Sequence, residues 1–127
     1  MQHPEPLRHI RPADLVDADP TPGMRRLQAV ASDGMWAGVA HTEPRAVSGW
    51  HHHGEYETAI YVVNGALRME HGAGGTLTMD AQPGEFIHVP RYAIHREANP
   101  TDETATLVVV RAGHGVPTIN VDGPQEE

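Results

Sequence analysis

Gly49-Trp50-His51-His52-His53-Gly54-Glu55-Tyr56-Glu57 is the stretch on which the reading of this chain turns. In extended backbone, side chains two apart share a face. His51 and His53 therefore point the same way, with ring nitrogens close enough to chelate one ion, and His52 points oppositely. The competing readings are a solvated histidine cluster and a tag remnant, but the triplet lies inside a β-patterned region and is short for a tag. Ten of the 127 residues are His and none is Cys. Imidazole must therefore dominate any metal site, and disulfides, thiolate zinc sites and cysteine nucleophiles are excluded.

Working outward, the run Thr58 to Val63 reaches the tight turn Asn64-Gly65, beyond which Leu67, Met69 and His71 alternate with Ala66, Arg68 and Glu70. Further strand candidates are Arg26 to Ala31, Met35 to Glu43, Ala46 to His52, Thr76 to Met79, Glu85 to Val89, Ile94 to Ala98, Thr104 to Arg111 and Val116 to Val121. Turn signals separate them every eight to twelve residues or so, and no stretch sustains a 3.6-residue period, so the chain reads as all-β: a sandwich, jelly roll or small barrel. Thirteen Gly and eleven Pro fit that texture of short elements. Residues 1–25 carry Pro4, Pro6, Pro12, Pro20 and Pro22 and read as an extended arm with at most one helical turn near Ala13 to Asp17. The organisation expected is an arm over 1–25, one barrel over 26–121 and a frayed tail over 122–127.

Composition removes several functions. The formal charge is −8, and the nine basic residues, all Arg, cluster nowhere beyond Arg25-Arg26, which argues against nucleic acid or an anionic membrane as partner. Without Lys there is no Schiff-base lysine. The N-terminal stretch is broken by prolines and charges and has no apolar signal core, and the longest apolar runs are Ala59 to Val63 and Leu107 to Val110, far short of a spanning helix. The expectation is a soluble, cytoplasmic protein.

The central segment resembles the first motif of the cupin superfamily, G-x5-H-x-H-x3–4-E-x6-G, with His51, His53 and Gly65 in place. A second motif, G-x5-P-x-G-x2-H-x3-N, is matched by Gly84, Pro90, His95 and Asn99. The resemblance implies a double-stranded β-helix, the jelly-roll barrel of small single-domain cupins, with one mononuclear metal near its axis. Three positions depart from the pattern. The opening glycine of the first motif falls on Arg45, with Gly49 nearby, and the middle glycine of the second falls on Tyr92. The motif's glutamate falls on Glu57 when counted forward from His53, and its slot falls on Thr58 when counted back from Gly65, so ligation by Glu57 needs a bulge that turns its carboxylate inward.

By resemblance, His51, His53, His95 and Glu57 are the metal ligands, with Thr58 the alternative occupant of the fourth slot as a non-ligand. The cofactor expected is one divalent transition metal per chain, and three imidazoles suit Fe, Mn, Ni, Cu or Zn. Glu55 or a backbone carbonyl would accept the second N–H of a ligating ring. Candidate acid–base residues are Glu57, His41 and Tyr92. His41 qualifies if the face it shares with Met35, Ala37 and Val39 lines the barrel. His88 reads as structural or as part of the barrel mouth, and His3, His9, His71 and His114 as solvated. The function implied is a metal-dependent enzyme acting on a small oxygen-rich, anionic, enolisable or aromatic metabolite. Dioxygenase chemistry comes first, then Lewis-acid isomerase, cyclase or lyase chemistry, and the alternative is a metal- or ligand-binding cupin without turnover. The arm, with few local partners, is expected to cover a sheet edge of a second copy in a homodimer through residues near 8–31.

Overall fold

The computed structural model describes residues 4–124, so His3 and the last three tail residues lie outside the described residues. Eleven strands are present among them: β1 (Val16–Thr21), β2 (Met24–Ser32), β3 (Met35–Thr42), β4 (His51–His52), β5 (Glu57–Asn64), β6 (Leu67–His71), β7 (Leu77–Ala81), β8 (Phe86–Val89), β9 (His95–Ala98), β10 (Ala105–Ala112) and β11 (Ile119–Asn120). They form two antiparallel sheets, ordered β1-β2-β3-β10-β5-β8 and β11-β4-β9-β6-β7. The all-β jelly roll expected from the sequence is the fold observed.

Alternation along the long strands builds the core. On β10, Ala105, Leu107, Val109 and Arg111 are buried, and on β5 Thr58, Ile60 and Val62 are. The register sets Leu107 opposite Val62, Val109 opposite Ile60 and Arg111 opposite Thr58. On its other side β10 meets β3, with Leu107 opposite Ala40 and Arg111 opposite Trp36. Leu67, Met69, Ile87 and Val89 complete this apolar cluster. The interior stripe turns polar at one end of the barrel, where Thr58 and Arg111 take the place of aliphatic residues and the Arg111 guanidinium lies 4.9 Å from the centre of the Trp36 ring.

Two turns show why particular residues stand where they do. Gly65, between β5 and β6, has φ 81°, and a Cβ there would lie 2.9 Å from Ala105, so both backbone and space require glycine. Arg45 and Tyr92, which fall on the motif glycines, have φ 62° and 60° and are the non-glycine residues with positive φ among those described. The backbone thus keeps the conformation that the motif assigns to glycine, with side chains carrying the strain.

The N-terminal segment, expected as an extended arm with few local partners, is extended and has a partner within the chain. After a 3-10 turn at Pro12–Asp14, residues of β1 pair antiparallel with β2 of the same chain, from Val16 opposite Gln28 to Thr21 opposite Met24, with an irregularity in between. Pro20 is tolerated there because β1 is an edge strand, where an N–H is not needed by a neighbour. No helix among the described residues is long and apolar enough to cross a membrane.

Candidate metal centre

His51 on β4 pairs directly with His95 on β9. His53 follows β4 as the chain turns, held by the Tyr56 N–H donating to its carbonyl at 3.0 Å. On β9 the inward face carries His95 and, two residues on, Glu97. All four side chains are buried, and one ligating atom from each can be chosen so that all lie within 4.8 Å of one another. The three ring centroids are 4.4 to 5.1 Å apart.

Each imidazole is oriented by its outer nitrogen. Nδ1 of His51 lies 2.9 Å from the Gly49 carbonyl, that of His53 2.8 Å from the Pro117 carbonyl, and that of His95 2.9 Å from the Ala93 carbonyl. A carbonyl only accepts, so these partners assign the proton to Nδ1, and in the neutral rings every Nε2 is a lone pair. His51 Nε2 stands 3.2 Å and His95 Nε2 3.7 Å from Glu97 Oε2, and His95 Nε2 is buried without a hydrogen-bond partner. Acceptors facing one another in a buried site repel unless protons or a cation sit between them. Three lone pairs and a carboxylate converging on one point are therefore a donor set that fits a divalent transition metal.

The charge states follow from the same packing. Burial pushes His53 down to about 3, only partly offset by its bond to Pro117, so it is a neutral ring at ordinary pH. Burial also disfavours the His95 cation, but the adjoining Glu97 carboxylate outweighs this and raises its pKa. For Glu97, burial pushes upward, yet His51 and His95 beside it more than offset this and hold the carboxyl well below its ordinary value. The backbone of Glu97 is fixed reciprocally by Ser48, whose N–H donates to the Glu97 carbonyl at 2.8 Å and whose Oγ accepts the Glu97 N–H at 2.9 Å.

The structure brings His51, His53 and His95 together, as the resemblance implied, and places the other candidates outside the cluster. Glu57 is not in the cluster: it opens β5 on the outward parity, is half exposed, and its Oε2 lies 2.6 Å from His88 Nε2. Thr58 takes the inward parity, 1% exposed, with its Oγ1 unpartnered. No bulge turns Glu57 inward, because β5 stays in register with β10 from Leu107–Val62 to Ala112–Glu57. His41 lies on the outer face of β3, with Nδ1 3.3 Å from Thr106 Oγ1, since Gly38, Ala40 and Thr42 are the buried parity. Tyr92 is 57% exposed on the turn between β8 and β9, its ring tilted toward His52 at 6.1 Å, away from the cluster. Glu55 is exposed, and backbone carbonyls serve the ring N–H groups instead. His71, expected on the surface, is half-buried and lies beside His95 in the β6–β9 register.

Glu97 is the residue the sequence reasoning passed over. The signal was present: the two-residue parity that joins His51 to His53 also joins His95 to Glu97 in His95-Arg96-Glu97. Next to the cluster, a void of about 10 Å³ is bordered by His53, Thr58, Glu97, Arg26 and Arg111. A larger cavity, of about 210 Å³, reaches His95 from the side of the barrel where β7 and β8 form the ends of the two sheets.

The cupin domain family matches residues 38–111, more than half of the chain. A search of curated proteins gives no match. Among solved structures, the polyketide cyclase RemF from Streptomyces resistomycificus aligns with a TM-score of 0.74 at 21% identity, covering 94% of this chain and 89% of that one. An oxalate oxidase in complex with the substrate analogue glycolate aligns with a TM-score of 0.66 at 18% identity, over 78% of this chain and only 55% of that one. Drosophila melanogaster CENP-C bound to CAL1 aligns with a TM-score of 0.68 at 14% identity, over 82% and 85% of the two chains. At these identities the likeness is one of fold.

Proposed function

The chain belongs to the cupin family, and from that premise we propose that it is a metal-dependent enzyme whose ligands are His51, His53, His95 and Glu97. The observation that carries this is the convergence of three buried imidazole lone pairs and an ionised carboxylate, with every outer Nδ1–H already engaged. A divalent ion there would supply Lewis acidity, and redox chemistry as well if it is Fe, Mn, Ni or Cu rather than Zn. The chain's own residues do the rest. The carbonyls of Gly49, Pro117 and Ala93 fix the ring orientations. Glu97 cancels one unit of the ion's charge, and the site's burial excludes bulk water.

One carboxylate and three neutral rings leave such an ion with a net positive charge in a buried site, which favours an anionic, bidentate oxygen ligand over its ester. The substrate class is thus a small oxygen-bearing anion, enolisable or aromatic, and the reaction is oxygenation or Lewis-acid isomerisation, cyclisation or elimination. The second reading, a cupin that binds a ligand without turnover, has the structural likeness to CENP-C bound to CAL1 on its side. A homodimer formed along the outer edge of β1 accompanies either reading, and light scattering tests it.

Metal analysis of the purified protein tests the site. About one divalent ion per chain is expected, with affinity falling more than about 100-fold in His95→Ala and Glu97→Gln and unchanged in Glu57→Gln. Full occupancy in His95→Ala, or loss of metal in Glu57→Gln, overturns this ligand set.

A further inference from the structure

The cavity that reaches His95 has a composition that selects among ligands. It is lined by Met69, Met79, Ile87, Val89, Pro90 and Ala93, with His95 at its inner end and His71 and His88 as its other hydrogen-bonding side chains. No carboxylate, guanidinium, amide or hydroxyl side chain lines it. Met69 and Met79 face each other across the β6–β7 register, the first 2% exposed and the second 43%, so one thioether lies deep and the other at the opening. Ile87 and Val89, each 5% exposed, form the opposite wall from β8. His88 is turned toward Glu57 and is 62% exposed at its side chain, which places it at the mouth.

From this we infer that the ligand of the centre carries a compact apolar or aromatic body, held between the Met69–Met79 pair and the Ile87–Val89 wall, with its oxygen-bearing end at His95. The inference rests on the metal reading for the oxygen end alone. A polyhydroxylated, sugar-like body would bring several hydroxyls against methyl and thioether groups, each losing water without a replacement bond. An aromatic body loses nothing of that kind, gains from the apolar area removed from water, and makes favourable contacts with methionine sulfur. At about 210 Å³ the cavity is below the common range for ligand sites, roughly 300–1,000 Å³, so the body is a single ring or a short branched chain.

Mandelate, glycolate and gluconate share one α-hydroxycarboxylate end and differ in what is attached to it. Titrated into zinc-loaded protein carrying methyl-¹³C methionine, mandelate should bind about tenfold or more tighter than glycolate. It should shift the methyl signals of Met69 and Met79 and leave that of Met35 in place, while gluconate binds no tighter than glycolate. Met79→Glu should bring mandelate down to the affinity of glycolate with zinc content unchanged. Equal affinity for mandelate and glycolate, gluconate binding tightest, or a full mandelate advantage in Met79→Glu overturns the inference. If the protein takes up neither zinc nor any of iron, manganese, nickel and copper, the ligand set proposed above fails, and the cavity is then read in the metal-free protein with benzyl alcohol. Shifts at Met69 and Met79 sustain the apolar pocket by itself, and their absence refutes it.

Discussion

In the six-stranded sheet, β3, β10 and β5 run eight residues each and pair along nearly their whole length. In the other sheet, β4 and β11 are two residues long and β9 is four, with a single registered pair joining β4 to β9. The short strands nonetheless hold three of the four candidate ligands, and His53 lies just beyond the end of β4. The long strands are set by burial, since every second residue removes apolar surface from water. The short ones are set by individual bonds at their ends. Asn99, 1% exposed, shows how: its Nδ2 donates to the carbonyls of Thr42, Glu43 and Glu103, and its Oδ1 accepts from the N–H and hydroxyl of Thr101. The long strands, with Leu67 and Met69 of β6 against them, supply the buried apolar area, and the short strands supply a shape.

The sharpest way to break that division is to damage the long sheet and examine the site. Leu107→Ala removes a side chain that is 1% exposed and should cost about 2–5 kcal/mol in denaturant unfolding, while the folded fraction keeps its metal stoichiometry. Loss of metal from the still-folded variant would show that the two sheets are not separable in this way.

The short-strand region should govern the response to pH. In metal-stripped protein, His53 is held near 3 against an ordinary 6.5. Between those values the unfolded chain binds a proton that the folded chain refuses. Stability should therefore fall by about 1.4 kcal/mol per unit as pH drops from 6.5 toward 3. Below 4.5 the decline should steepen, because Glu97 is also depressed in the fold and its contribution is lost as it protonates. His95 acts oppositely, since its raised pKa contributes stability that fades as pH rises above 6.5. Thermal denaturation across pH 3–9 should show a maximum near 6.5, and a flat profile would mean that the cluster does not control stability.

The smallest effect expected is at the turn leading into β9. Tyr92 holds φ at 60°, which costs a residue with a Cβ about 1 kcal/mol or more. Tyr92→Gly should stabilise the protein by up to about 1 kcal/mol, less the entropy glycine returns to the unfolded chain, with metal affinity unchanged. A destabilised variant would mean that the ring near His52 contributes more than the strain costs.

What the sequence disclosed follows the same partition. Alternation located β3, β5 and β10, because long half-buried strands repeat the signal. For β3 it could not say which parity faced inward: Ala37 and Val39 are as apolar as Gly38 and Ala40, and His41 was accordingly a candidate until the fold placed it outside. His51, His53 and His95 were legible because the motifs fix their spacing. The carboxylate was not, since the motif directed attention to Glu57 while the parity of β9 selects Glu97. β1 was hidden by Asp17, Asp19 and Pro20, residues that an edge strand tolerates and a central strand does not.

The placement of the cluster has a consequence for the unfolded chain. An ion held by His51 and His53 on one side and His95 and Glu97 on the other closes everything from β4 to β9 into a loop, in a protein with no cysteine to do so. For a covalent cross-link over several dozen residues the chain-entropy gain is about 4 kcal/mol, and a tightly bound ion approaches that limit. Such an ion would act as a removable staple: chelation would free the unfolded chain of that loop constraint, and hydrogen exchange at β4, joined to β9 by one registered pair, should rise on metal removal.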